Sequence, residues 1–246
     1  MSNQKRSCSS GFSLLEISIS ITIIALAVVA VMAGASLIKQ AGLRSVMSDI
    51  SAIRSNIASF ELSFRALPGD MDDADRKLSN AAITTVGGNS DGRITYNLTD
   101  GANNEALRAW QHLFLADTIA VEYSGSNPSQ NAILNDNVPA SQIEEGTAGY
   151  YLDHDSWLGS EAANMIVIGR EDGDRMNDSA VLSPNNARSI DAKMDDGNPG
   201  KGLVLAREGE GLTGVCITTT GTLNEYASDD TDMLECIQAY IIEASD

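Results

Sequence analysis

Positive charge is what this chain has least of. Its 246 residues carry 16 lysines and arginines against 34 aspartates and glutamates, a formal net charge of −18. A surface of that sign repels nucleic-acid phosphates and releases no counterions on meeting them, so nucleic acid is excluded as the main partner. Histidine is nearly absent, with only His112 and His154. The three cysteines, Cys8, Cys216 and Cys236, include no CxxC pair, and a zinc site therefore lacks its usual ligand spacing. No GxSxG, HExxH, P-loop or GxGxxG stands in the strand–helix setting that gives such a motif its chemistry. Aromatic residues make up only 5%, yet 43% hydrophobic and 20% charged residues are the balance of a folded chain, not a disordered one.

One further absence is local. From Ile17 to Ile38 the chain has no charged side chain and no proline. As a helix rising 1.5 Å per residue, that stretch is about 33 Å long, enough to span a bilayer. Immediately before it stands Glu16. An acid at the centre of a membrane helix costs roughly 2.5 to 3.5 kcal/mol, so an acid kept at the edge of such a segment calls for a partner. The residues leading into it read Gly11-Phe12-Ser13-Leu14-Leu15-Glu16, after a short polar leader containing Lys5 and Arg6.

This junction resembles the processing site of type IV pilins and of type II secretion pseudopilins. The resemblance implies cleavage by a prepilin peptidase between Gly11 and Phe12, N-methylation of Phe12, and Glu16 as fifth residue of the mature chain. Glu16 would then neutralise the N-terminal amine of a neighbouring subunit during filament assembly. Two charges that are each costly in lipid become tolerable when they meet. The implied organisation is a leader over 1–11, a transmembrane and filament-core helix over 12–38, an amphipathic continuation over 39–66, and a periplasmic head over 67–246. Implied partners are other pilin or pseudopilin subunits, the prepilin peptidase and an inner-membrane assembly platform. The subunit would be a single-pass inner-membrane protein that later enters a periplasmic or surface filament, with no enzymatic role and no required cofactor. Its length exceeds that usual for a major pseudopilin and favours a minor subunit or an enlarged head. The largest, tip pseudopilin of the family typically lacks the carboxylate that Glu16 supplies here.

Two other readings fit the N-terminus. One is a plain signal anchor with Glu16 among the headgroups. The other is a secreted, soluble, acidic binding protein whose signal peptide is cleaved after Ala35, since Ala33-Gly34-Ala35 has the A-x-A pattern. The apolar stretch is longer than the h-region of about 7–15 residues that a signal peptide carries.

Cleavage after Gly11 would remove Lys5, Arg6 and Cys8, leaving 14 basic against 34 acidic side chains, a balance of −20, and two cysteines. In an exported chain Cys216 and Cys236 would form a disulfide, and closing a loop of about 20 residues contributes on the order of 3 kcal/mol. Two buried free thiols are the alternative.

Beyond Ile38 the helical pattern becomes a stripe: Leu43, Val46, Ile50, Ile53, Ile57, Phe60 and Phe64, spaced by threes and fours. One helix is predicted from Phe12 to Arg65, ending at Leu67-Pro68-Gly69-Asp70. A coiled-coil stalk would need consistent charge pairing beside the stripe, which is lacking. Residues 70 to 101 read as loop with a short helix around Ala74–Leu78, and a second helix is predicted over Asn104–Thr118 with Leu107, Trp110, Leu113 and Phe114 on one face. Residues 122 to 149 read as irregular. Strands are predicted at Met165–Ile168, Leu203–Ala206, Val215–Thr219 and Ile237–Ile242. Helices first and strands later predict an α+β fold, in the terms of the resemblance a pilin-like one: a long N-terminal helix packed on a C-terminal antiparallel sheet. The stretches Leu67–Asp70, Trp110–Leu113 and Ile190–Gly197 are also similar to segments of bacterial pilin-like proteins.

Acidic turns invite a hard cation, and calcium is the one they suit. Asn89-Ser90-Asp91-Gly92-Arg93-Ile94 mimics the middle of an EF-hand loop, but the first ligand position falls on Gly87 and the twelfth on Leu98, so a turn held by Asn and Asp side chains is expected instead. Asp195 and Asp196, and Asp229, Asp230 and Asp232, are weak metal candidates, dense enough in carboxylates to hold a hard cation, with solvated acidic turns as the default. His154, between Asp153 and Asp155, is expected in a surface loop, and Trp110 and Trp157 in core packing.

Overall fold

A computed structural model of the chain describes residues 13–78, 82–96, 104–125, 131–143, 147–158, 160–172, 175–220, 223–228 and 233–242. It divides into two compact units, Met1–Gly42 and Leu43–Asp246.

The first unit consists, among its described residues, of the front of helix α1, Leu14–Phe64. Its apolar side chains are exposed, from Ile17 at 46% to Leu14 at 88%. Three polar side chains inside this run are satisfied locally: the hydroxyls of Ser18, Ser20 and Thr22 donate to the carbonyls of Leu15, Glu16 and Ser18 at 2.7–2.8 Å. A hydroxyl that bonds back to its own helix presents no free donor to an apolar surround.

In the second unit the stripe on α1 becomes core. Leu43, Val46, Ile50, Ile53, Ile57 and Phe60 are buried, each contributing about 1.5–3 kcal/mol, and Phe64 packs partly buried at 4.6 Å from the Phe60 ring. Arg54 lies on the same stretch and donates to the carbonyls of Ile241 (2.6 Å) and Leu203 (3.4 Å), pinning the helix to the ends of two strands. The helix ends at Arg65, whose φ of 55° turns the chain out of the helix. Gly69 follows at φ 88°, where a Cβ would collide with the Glu105 carbonyl.

Behind it come short α2 (Ala74–Lys77) and α3 (Glu105–Leu115), then β1 (Gly149–Asp155), β2 (Ala163–Asp172) and β3 (Arg175–Ser179). Helix α4 (Pro184–Met194) is followed by β4 (Val204–Glu208), β5 (Ile217–Thr220), β6 (Leu223–Tyr226) and β7 (Cys236–Ile241). The main sheet is antiparallel in the order β1-β2-β7-β4, with β3 paired to β2, and β5 pairs with β6 in a separate two-stranded sheet. Met165–Ile168 and Cys236–Tyr240 are buried without alternation, the mark of strands covered on both faces. The layout is therefore α+β, a long N-terminal helix followed by a C-terminal antiparallel sheet.

Several local expectations need correction. Residues 149–155 form a strand, so His154 sits in β1 and half-buried, not in a surface loop. The charged Asp153 is accommodated there because its carboxylate accepts the main-chain N–H groups of His154 (2.8 Å) and Tyr96 (3.4 Å). Helix α4 was not expected from the sequence, although Ser183-Pro184 opens it with proline in the first turn. Strands β3 and β6 are likewise additions. Phe114 is only half-buried, while its predicted companions Leu107, Trp110 and Leu113 are buried fully.

Candidate functional site

The N-terminal determinants begin at the edge of what is described. Gly11 and Phe12 lie outside the described residues. Ser13 caps α1: its hydroxyl accepts the Leu15 N–H at 3.3 Å and its carbonyl accepts the Ile17 N–H at 3.1 Å. Glu16 stands three residues on, in the first helical turn and exposed. Ser13-Leu14-Leu15-Glu16 thus has the spacing of a capping box, a signal present in the sequence and missed there. A carboxylate in the first turn also complements the positive end of the helix dipole. Glu16 accordingly has a local role within its own helix, and that role leaves its charge exposed to a cation from outside.

The two cysteines are joined. Cys216 and Cys236 form a disulfide with S–S 2.04 Å and Cα–Cα 5.1 Å, and both are buried. Cys216 precedes β5 and Cys236 opens β7, so the bond fastens the two-stranded sheet to the main one.

The acidic candidates divide. Asp229, Asp230 and Asp232 lie outside the described residues. Asp195 and Asp196 meet a third acid, Asp191, with one oxygen from each within 4.8 Å of the others. Asp191 is buried in the last turns of α4, and the i, i+4 spacing to Asp195 was the available signal for it. Its carboxyl accepts the Tyr226 hydroxyl (2.8 Å) and the Gly197 N–H (2.9 Å). Burial pushes its pKa up to about 6, against the pull of the Tyr226 hydrogen bond. Asp195 accepts the N–H groups of Leu203 and Val204, and Asp196 that of Asn198. Gln238 extends the cluster inward, donating to the Tyr226 hydroxyl and the Ala187 carbonyl, and accepting from Tyr240.

A second trio comprises Asp70, Asp91 and Glu105. Asp70 accepts the N–H groups of Asp91 and Gly92, both at 3.0 Å, and Glu105 accepts those of Asn89 (3.2 Å) and Thr95 (3.1 Å). Within the loop, Asn89 accepts the Asp91 N–H and Asp91 that of Arg93. The EF-hand-like stretch is a turn held by carboxylates from α3 and from the Pro68-Gly69-Asp70 corner. Burial raises the pKa of Asp70. Both trios have the oxygen donors a hard cation takes. Both also satisfy those oxygens with main-chain amides.

His112 is fully buried on α3. Its Nδ1 accepts the Gly69 N–H at 2.9 Å, so the proton of the neutral ring sits on Nε2, 3.1 Å from Thr85 Oγ1 and 3.3 Å from the Val86 carbonyl. Burial lowers its pKa to about 4; the Val86 carbonyl opposes that shift and the charge of Arg108 adds to it. The ring ties the corner after α1 to α3 and to the 85–86 segment. His154 Nδ1 meets Asn164 Oδ1 at 3.2 Å across β1 and β2. Trp157 is buried, with the Arg207 guanidinium 4.4 Å from its ring centroid.

Comparison with protein-family models, with curated proteins and with solved structures yields no match.

Proposed function

We propose that the chain is a pilin-like subunit, of a type IV pilus or a type II secretion pseudopilus, whose work is architectural. The observation that carries the reading is the junction Gly11-Phe12-Ser13-Leu14-Leu15-Glu16 set directly before an exposed apolar helix. α1 is the one helix, among the described residues, long and apolar enough to cross a membrane. A bare apolar helical surface is stable only against lipid or against other helices. Membrane insertion before assembly and helix packing after it supply those two surrounds in turn. Glu16, exposed and without an ion-pair partner in its own chain among the described residues, is the group that a neighbouring subunit's N-terminal amine would meet. The head would face the periplasm, with the acidic surface outward and the disulfide suited to that compartment.

Replacing Glu16 with alanine tests the reading. Processing between Gly11 and Phe12 is expected to continue while incorporation into filaments, measured in sheared or crosslinked fractions from the native host, falls sharply. Normal incorporation would remove the charge-pairing role.

One observation favours the secreted alternative. The compact unit starts at Leu43, so cleavage after Ala35 would release it whole. The two readings differ in the first residue of the mature protein, Phe12 against Ser36.

A further inference from the structure

Residues 92–96 belong to no helix or strand, yet Ile94 is fully buried. Side chains from three elements hold them in place. Asn164, at the start of β2, accepts the Ile94 N–H at 2.9 Å and donates to the Gly92 carbonyl at 3.0 Å. Glu105 of α3 accepts the Thr95 N–H (3.1 Å) and hydroxyl (2.9 Å), and the Ala106 N–H adds one main-chain bond to the Thr95 carbonyl. Asp153 of β1 accepts the Tyr96 N–H at 3.4 Å. Asn164 pairs with His154, and Asp153 with Met165, so alternation places the anchors Asn164 and Asp153 on opposite faces of the sheet. The segment is a strap that crosses β1, the edge strand, between them.

The same Asp153 oxygen closes that edge. The Tyr150 N–H points away from β2, to the Pro139 carbonyl, and alternation turns the His154 N–H the same way. Asp153 Oδ1 accepts it at 2.8 Å, in the place where a neighbouring strand would supply a carbonyl. The surroundings are poor for a charge. Burial pushes the Asp153 pKa up to about 6; the N–H groups of His154 and Tyr96 pull it down, Asp155 on the same strand adds to the rise, and Arg207 of β4 opposes it. The facing residue on β2 is the uncharged Met165, and the Glu105 carboxylate of α3 is turned to Thr95.

We propose that residues 92–96 form a pH-responsive cover on the β1 edge, held closed while Asp153 is protonated and opened more often as it ionises. Opening admits water to the carboxyl and returns it to its ordinary range near 3.8. A value raised in the closed form means that the closed form's advantage is complete below pH 3.8 and is lost as pH rises through 6. Between pH 5 and 7 the opening equilibrium therefore shifts about tenfold toward the open form. Opening frees the His154 N–H, and an edge strand with unpaired main-chain groups is a template for strand pairing. The device does not depend on the chain's being a pilin-like subunit.

The test is native-state amide exchange of the full chain in detergent micelles, followed by NMR between pH 5 and 7, with each rate divided by its intrinsic value at that pH. The Ile94 and Tyr96 N–H groups report the strap, and the Val167 N–H, on a buried strand paired on both sides, reports global opening. The strap amides are expected to open more readily than Val167 at every pH, with an opening constant that rises about tenfold from pH 5 to 7. Asp153→Asn is expected to flatten that rise. The Asp153 carboxyl carbon, read in the unaltered protein, is expected to titrate near 6, so the test decides even if Asp153→Asn fails to fold. Strap amides exchanging only together with Val167, an opening constant indifferent to pH, or a carboxyl titrating near 3.8 would each overturn the proposal. So would an undiminished rise in Asp153→Asn.

Discussion

His112 makes a quantitative demand on the stability of the head. Its pKa is about 4 in the folded chain against 6.5 for an ordinary histidine, because burial disfavours the imidazolium. The geometry makes the same demand: Nδ1 must stay unprotonated to accept the Gly69 N–H. A depressed folded pKa means that the contribution is complete above pH 6.5 and is lost as pH falls toward 4. By pH 5 the loss amounts to about 2 kcal/mol, a large part of a domain's stability. Asp153 and Asp191 act in the opposite sense. Their folded pKa values of about 6 make their contribution complete below 3.8 and lost as pH rises through 6. A pH profile of the unaltered protein therefore mixes opposing slopes, and the histidine must be isolated by difference. Urea unfolding of the full chain in detergent micelles, with and without His112→Gln, is to be followed from pH 7.5 to 5. The stability gap between the two proteins is expected to narrow by about 2 kcal/mol over that range. A gap that stays constant, or a His112 ring proton titrating near 6.5 by NMR, would show that burial does not hold this ring neutral.

The disulfide and the acidic turn at the end of α4 give further tests. Replacing Cys216 and Cys236 together with serine is expected to cost on the order of 3 kcal/mol in urea unfolding, from the freed loop of 20 residues; an unchanged midpoint would contradict it. Thermal melting with calcium and with chelator tests the trio Asp191, Asp195 and Asp196 as a cation site: an ion held there would offset their mutual repulsion and raise the midpoint, and Asp191→Asn would abolish the rise. A midpoint indifferent to chelator removes the metal from the account.

Periodicity carried most of what the sequence disclosed. The threes and fours from Leu43 to Phe60 became the buried seam of α1, and the strands expected at 165–168 and 237–242 fall on the central strands β2 and β7, the latter running from Cys236 to Ile241. Strand β1 was hidden by Asp153-His154-Asp155, whose charge resembles a loop until the main-chain donors to Asp153 are known. Helix α4 buries only Pro184, Ala187, Ile190 and Asp191, too narrow a face to dominate its polar residues. The clusters were still less legible. Asp70, Asp91 and Glu105 meet, and His112 reaches the Gly69 N–H, through folding of segments far apart in the chain, and local spacing carries no trace of that. The capping role of Ser13 for a helix that begins at Leu14, by contrast, was written in four consecutive residues.

The most direct measurement is the mass and N-terminal sequence of the mature protein purified from membranes of its native host. The account requires a chain beginning at N-methylated Phe12, with Glu16 as its fifth residue. A chain beginning at Ser36, or one still carrying Met1 to Gly11 in assembled material, would contradict it.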